Sequence, residues 1–167
     1  MASALLVYGS WTGSTAGIAR RVGQTLTARG IRVLTVPAGS APDPAAYDAV
    51  IIGSAVRQGA WHPTAAAWMR RHAGVLRARP LALFSVCLTP ACHPERTPEA
   101  RGYAVALTME LELDPQALAI FAGSYDPHRV SFIERARASM WGAKRGDFSD
   151  PEAIESWARE IVPALVG

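Results

Sequence analysis

At 167 residues, half of them apolar and 19% charged, the chain is long enough for one domain with a substantial core and too apolar for a disordered segment. Two cysteines exclude a disulfide framework, and no apolar run approaches the length of a membrane span. A net charge of +3 points to an anionic partner, either an acidic small molecule or an anionic membrane surface; nucleic acid is disfavoured because the basic residues are scattered and match no recognition motif.

The N-terminus lacks the basic region and cleavage site of a secretory signal, so a cytoplasmic protein is expected, at most peripheral at the inner face of the membrane. The first element is a short apolar strand through Leu5, Leu6, Val7 and Tyr8. A Gly- and hydroxyl-rich turn over Gly9–Thr15 follows, then a helix with Ile18, Val22 and Leu26 on one face. Such a turn aims free backbone N–H groups and the positive end of a helix at one point, which suits a phosphate. Ser10, Thr12, Ser14 and Thr15 add hydroxyl donors, Gly13 permits close approach of the backbone, and Trp11 stands beside them. The turn has no lysine, so it is not a nucleoside-triphosphate loop, and Gly9 and Gly13 alone do not make G-x-G-x-x-G. A donor-rich cradle without fixed charge fits one terminal monoester phosphate.

Gly30 reads as a helix stop and 31–36 as a second strand, followed by a surface connection from Pro37 to Tyr47. The apolar run Ala49–Gly53 is typical of a central parallel strand. A helix from about Thr64 is expected to bury Ala65, Trp68, Met69, His72 and Leu76, with His72 a packed core residue. Leu81–Val86 is the fourth strand. Thr97-Pro98-Glu99 reads as a capped helix start, with Tyr103, Leu107 and Leu111 facing inward. Ala117–Gly123 is the fifth strand, and a last helix opening at Asp150 buries Ile154, Trp157, Ala158, Ile161 and Leu165. Strands alternating with helices predict a single α/β domain over residues 1–167, with helices on both faces of a five-stranded parallel sheet in the order 2-1-3-4-5.

In such a sheet the crevice lies at the carboxyl ends of the strands, where the loops Tyr8–Thr15, Gly53–His62 and Cys87–Arg96 converge. Cys87 and Cys92, with His93 alongside, are too few for a structural zinc site and read as incidental; no metal is expected. From His128 to Phe148, Val130, Ile133, Met140 and Trp141 could form one apolar face among Arg129, Arg135, Arg137, Lys144 and Arg145. This segment is either a covering helix with a solvated basic side or a membrane-surface contact.

The pattern Ser10-x-Thr12-Gly13-x-Thr15 resembles the phosphate loop of the flavodoxin family. Gly53–His62, with Arg57-x-Gly59-x-x-His62, and the stretches Ser85–Leu88 and Pro94–Pro98 are similar to the flavodoxin-like, oxygen-independent protoporphyrinogen IX dehydrogenases. Ala122-Gly123 and Trp157–Ile161 extend the similarity along nearly the whole chain. The resemblance implies FMN as cofactor, its phosphate on Ser10–Thr15 and its ring between Ser54, Ala55, Val56, Arg57, Gln58, Gly59 on one side and Val86, Cys87, Leu88, Thr89 on the other. Gly59 would either present a carbonyl or N–H to the ring or merely make a turn. The loops carry no evident aromatic stack, although Trp11 or Trp61 could supply one. The implied substrate is a tetrapyrrole with two propionates, for which Arg57, His62, Arg96 and Arg101 are the candidate contacts, Arg57 and His62 being the catalytic ones. The implied acceptor is a quinone. The alternatives are a flavodoxin-like electron carrier for a redox protein and, less favoured, a nicotinamide-fed quinone reductase for which no nicotinamide site is evident.

Overall fold

Strict alternation of apolar side chains organises the centre of the computed structural model, which describes residues 1–167. Along strand β1 (Ser3–Gly9), Leu5 and Val7 point to one face of the sheet and Ala4 and Leu6 to the other. The same division continues through β3 (Ala49–Arg57) and β5 (Leu81–Cys87), whose first six residues are buried on both faces. With β2 (Arg32–Pro37) and β6 (Ala117–Ala122) they form a parallel sheet in the order β2-β1-β3-β5-β6. A two-residue strand β4 (Ala60–Trp61) turns back antiparallel on β3, pairing Arg57 with Ala60. Setting β4 aside, the order is the expected 2-1-3-4-5.

Helices α2 (Pro63–Leu76) and α4 (Thr97–Glu110) cover one face of the sheet. On the other face lie α1 (Ser14–Thr27), α6 (Pro151–Glu160) and the short α7 (Val162–Val166). Each fully buried Leu, Ile or Phe at these faces contributes about 1.5–3 kcal/mol. Gly53 is fixed by close approach: a Cβ there would lie 2.0 Å from Phe84 Cζ, whose ring crosses the neighbouring strand and packs edge-on against Trp157.

Several local expectations shift. Strand β2 starts at Arg32 rather than Ile31. The last helix is broken at Ile161 by Pro163 in the first turn of α7, though Ile154, Ala158, Ile161 and Leu165 are buried as expected. Thr97 does not cap α4, because a 3₁₀ turn over Pro94–Arg96 already leads the chain into it. His72 is half-buried, tilted against Trp68 at 4.7 Å. Tyr103 leaves the inner face of α4, which instead buries Ala100, Ala104, Leu107 and Thr108.

After β6 the chain makes a second small sheet, β7 (Ser124–Tyr125) against β8 (Gly146–Asp147), enclosing helix α5 (Phe132–Met140). Ser131 and Glu134 close a capping box at its start. The expected single apolar face of residues 128–148 is split. Val130 and Trp141 turn inward, while Ile133 and Met140 are exposed.

Candidate functional site

A cleft of about 440 Å³ opens at the carboxyl ends of β1, β3, β5 and β6. Four segments wall it: the β1–α1 turn, the β3–β4 hairpin, the β5–α4 connection with α4 itself, and the segment from Gly123 to Trp141. The fourth was not among the expected converging loops.

At one end the β1–α1 turn leads into α1 with the helix N-terminus facing the cleft. Gly13 sits at the helix N-terminus in the left-handed region (φ 97°), and no side chain caps α1. Its N–H donates to Ser10 Oγ at 3.0 Å, folding the turn over itself. Ser10, Trp11, Thr12 and Ser14 line the cleft. Thr15 lies behind, fully buried, and its Oγ1 has no hydrogen-bond partner. A buried hydroxyl without a partner normally costs about 1–3 kcal/mol. The guanidinium of Arg129 donates to the Thr12 carbonyl at 2.9 Å, tying this turn to the segment before α5.

The stretch expected as a loop after β3 is instead a tight hairpin. Gln58 (φ 51°) and Gly59 (φ 77°) make its two-residue turn, which requires left-handed backbone at both positions. Ala55, Val56, Arg57, Gln58 and Gly59 line the cleft; a Cβ on Gly59 would meet the ring of Tyr103 at 3.2 Å. Ser54 is buried beneath them, its hydroxyl donating to the Ala55 carbonyl and accepting the His62 N–H at 2.8 Å. Val86, Cys87, Leu88 and Thr89 line the opposing wall, the last opening the single-turn helix α3 (Thr89–Cys92). Burial pushes the Cys87 thiol up, so it stays protonated at neutral pH. No group of three or more His, Cys, Asp or Glu side chains is clustered to hold a metal ion.

Arg57 forms an ion pair with Glu134 of α5, and its guanidinium lies 4.5 Å from the centre of the Trp11 ring. Hydrogen bonds from Ser131, with the charge of Arg57, hold the Glu134 carboxyl below its ordinary value. His62 is not on the cleft wall. Its Nδ1 accepts from the Thr64 N–H at 3.3 Å as the N-cap of α2, and its ring packs on Trp11 at 4.4 Å. Burial, then the charge of Arg57, push its imidazole below the usual value. Arg96 lines the cleft but pairs with Glu99 at 2.7 Å, and Arg101 lies elsewhere, donating to the Leu118 carbonyl.

Trp11, expected beside the turn, lines the cleft, and three further aromatic side chains reach it from places the sequence does not advertise. Trp61 is buried, its Nε1–H donating to Ser85 Oγ at 3.0 Å, and contributes nothing to the wall. Trp11, Tyr103, Tyr125 and Trp141 do line it. Trp141 is held there through its carbonyl, which accepts from His93 Nε2 at 2.9 Å. Of Tyr103, Tyr125 and Trp141, the one with an available signal is Tyr125, just past the carboxyl end of β6.

A doubly wound parallel sheet in this order, with an uncapped donor-rich turn after β1 and a cleft at the switch point between β1 and β3, defines a flavodoxin-like protein. The flavodoxin domain family matches residues 5–150, and the chain belongs to it. Among curated proteins it is similar to protoporphyrinogen IX dehydrogenase (quinone) of Escherichia coli strain K12, 27% identical over an alignment that covers 94% of this chain and 93% of that one. Among solved structures, a flavodoxin mutant from Pseudomonas aeruginosa matches with a TM-score of 0.63 at 14% identity, over 99% of both chains. Rubredoxin oxygen:oxidoreductase from Desulfovibrio gigas gives the same TM-score and identity, over 98% of this chain but 36% of that one.

Proposed function

We propose that this protein is an FMN-dependent oxidoreductase that dehydrogenates protoporphyrinogen IX and delivers the electrons to a quinone. Support comes from the similarity along almost the full length of both chains to the E. coli enzyme of that name. The observation that carries the reading is the make-up of the cleft: a hydroxyl-lined turn at one end, apolar and aromatic walls between, and Arg57 at the side.

The residues present fit FMN. The buried Thr15 Oγ1 lacks a partner and the first turn of α1 lacks a cap, so both leave donors for a phosphate. Ser10, Thr12, Gly13, Ser14 and Thr15 would hold it. Ala55 to Gly59 and Val86 to Thr89 would flank the ring, with Ser54 fixing the hairpin from below. FMN supplies a group that accepts a hydride and passes electrons on. Arg57 binds a substrate propionate as a two-pronged donor, pre-oriented by the Trp11 ring. His62 acts on Trp11 by packing. Tyr103, Tyr125 and Trp141 exclude water and offer flat surfaces to a macrocycle.

The test is anaerobic mixing of FMN-loaded protein with protoporphyrinogen IX, followed at the flavin absorbance, then addition of a menaquinone analogue. Bleaching by the porphyrinogen and recovery with the quinone are expected. Absence of bleaching, under conditions where the E. coli enzyme bleaches, would refute the substrate assignment.

A second reading, an FMN electron carrier for a redox protein, is favoured by the four aromatic residues on the cleft wall, because carriers enclose their ring between aromatics. It predicts FMN binding without reduction by the porphyrinogen.

A further inference from the structure

The charged side chains that line the cleft are Arg57, Arg96 and Arg137 against Glu99, Asp126 and Glu134. Each acid is matched. Glu134 pairs with Arg57, Glu99 with Arg96 at 2.7 Å, and Asp126 lies 3.8 Å from Arg145, which stands outside the wall. Arg137 alone among the cleft's cations has no acidic partner, and its guanidinium makes no hydrogen bond to the protein. Arg57, Arg96 and Arg101, the arginines that the sequence singles out as ligand contacts, are all engaged by the protein itself.

Helix α5 explains the placement. Residues three apart share one side of a helix, so Arg137 stands beside Glu134, whose carboxylate reaches across to Arg57. Arg135 falls on the other side and does not reach the cleft. The end of the helix is anchored: the Trp141 N–H donates to the Arg137 carbonyl at 3.0 Å, and the Trp141 carbonyl accepts from His93. A free guanidinium is thereby held where the cleft meets solvent, one turn from the flat surface of Trp141.

The two arginines of this wall and its neighbour offer a ligand carboxylate unequal gains. At Arg57 the carboxylate must displace Glu134, so the ion pair lost offsets the one formed. At Arg137 nothing is displaced, and the planar fork of the guanidinium is open to both carboxylate oxygens. Resting on the substrate reading above, we propose that Arg137 is the carboxylate-recognising residue of the cleft. It receives one propionate of the tetrapyrrole, leaving the other to exchange with Glu134 at Arg57, and sets the preference for a carboxylated over an esterified macrocycle.

Protoporphyrin IX and its dimethyl ester, each in the same dilute neutral detergent, are titrated into the FMN-loaded protein and followed at the porphyrin Soret absorbance. The two differ only in whether the propionates are charged. Wild type should hold the diacid about tenfold or more tighter than the ester. Arg137→Gln should weaken the diacid about five- to tenfold, leave the ester unchanged, and keep both FMN affinity and melting temperature. Arg137→Lys should restore part of the loss, and Arg135→Gln should alter neither ligand. Diacid binding that Arg137→Gln leaves intact, or that Arg135→Gln weakens equally, overturns the assignment while the substrate reading stands. So does a loss of ester or FMN binding alongside the diacid, since Arg137 would then serve the fold or the cofactor. If wild type binds neither porphyrin, the substrate reading fails, and the role of Arg137 with it.

Discussion

Arg57 and Glu134 connect two walls of the cleft, the β3–β4 hairpin and helix α5, which lie 77 residues apart in the chain. Both side chains are about a third exposed, so the pair contributes about 1 kcal/mol rather than the larger value of a dry one. The other polar ties of this segment to the body run from Arg129 to Thr12 and from His93 to Trp141. Glu134→Gln is therefore expected to loosen α5 without unfolding the sheet. Amide hydrogen exchange across 127–145 should accelerate roughly fivefold while β1, β3 and β5 stay protected. Equal acceleration in the central strands would show that the pair stabilises the whole fold.

Thr15 separates folding from binding. Its buried Oγ1 has no partner, so Thr15→Val removes an unsatisfied group at nearly constant volume. The unliganded protein should be as stable as wild type or more so in urea unfolding. FMN affinity should fall by roughly tenfold or more, the loss of one hydrogen bond to a charged group. A variant less stable without ligand, yet unchanged in FMN affinity, would place the hydroxyl in the fold instead of the site.

Gly53→Ala should be strongly destabilising, because its Cβ would fall inside the Phe84 ring at the centre of the sheet. Overpacking of this kind costs about 1–3 kcal/mol, occasionally more, and here the ring is itself held by Phe121 and Trp157. The check is the urea midpoint. Adding Phe84→Leu to Gly53→Ala should recover part of the loss, and no recovery would contradict the assigned contact.

His62 makes stability depend on pH. Burial and Arg57 hold its folded-state value below the ordinary 6.5, and its Nδ1 is used as an acceptor by the cap of α2. As pH falls, the unfolded chain takes up this proton before the folded one does. The contribution is therefore complete above the unfolded value and is lost as pH drops through the lower folded value. Thermal unfolding between about pH 7 and pH 5 should show a decline in stability that is shallower in His62→Asn, which keeps an N-cap acceptor. An unchanged slope would mean that other groups govern it.

The strands and the hydroxyl-rich β1–α1 turn are legible because their signals are local. Apolar runs mark β1, β3 and β5, and Ser10 to Thr15 are contiguous. Of the residues expected around the ring, those from Ala55 to Gly59 and from Val86 to Thr89 do line the cleft, since each lies in the last residues of a strand or just past its carboxyl end. Gly13, Thr15 and Ser54 lie just behind that surface. What failed was everything decided by packing at long range. Trp61 was drawn inward by Ser85, 24 residues away. Trp141 reached the cleft through His93, and the sides of α5 were sorted by a hairpin that no periodicity reveals. His62 matched a motif but was taken up in capping a helix and supporting Trp11.

The proposed binding of FMN depends most on the β1–α1 turn holding its monoester phosphate. Titration of the unliganded protein with FMN and, separately, with riboflavin, followed by quenching of flavin fluorescence, tests this directly because the two ligands differ only in the phosphate. FMN is expected to bind in the micromolar range or tighter and riboflavin at least about a hundredfold more weakly, as the loss of two or more charge-assisted hydrogen bonds requires. Equal affinity for both flavins, or binding of neither, would contradict it.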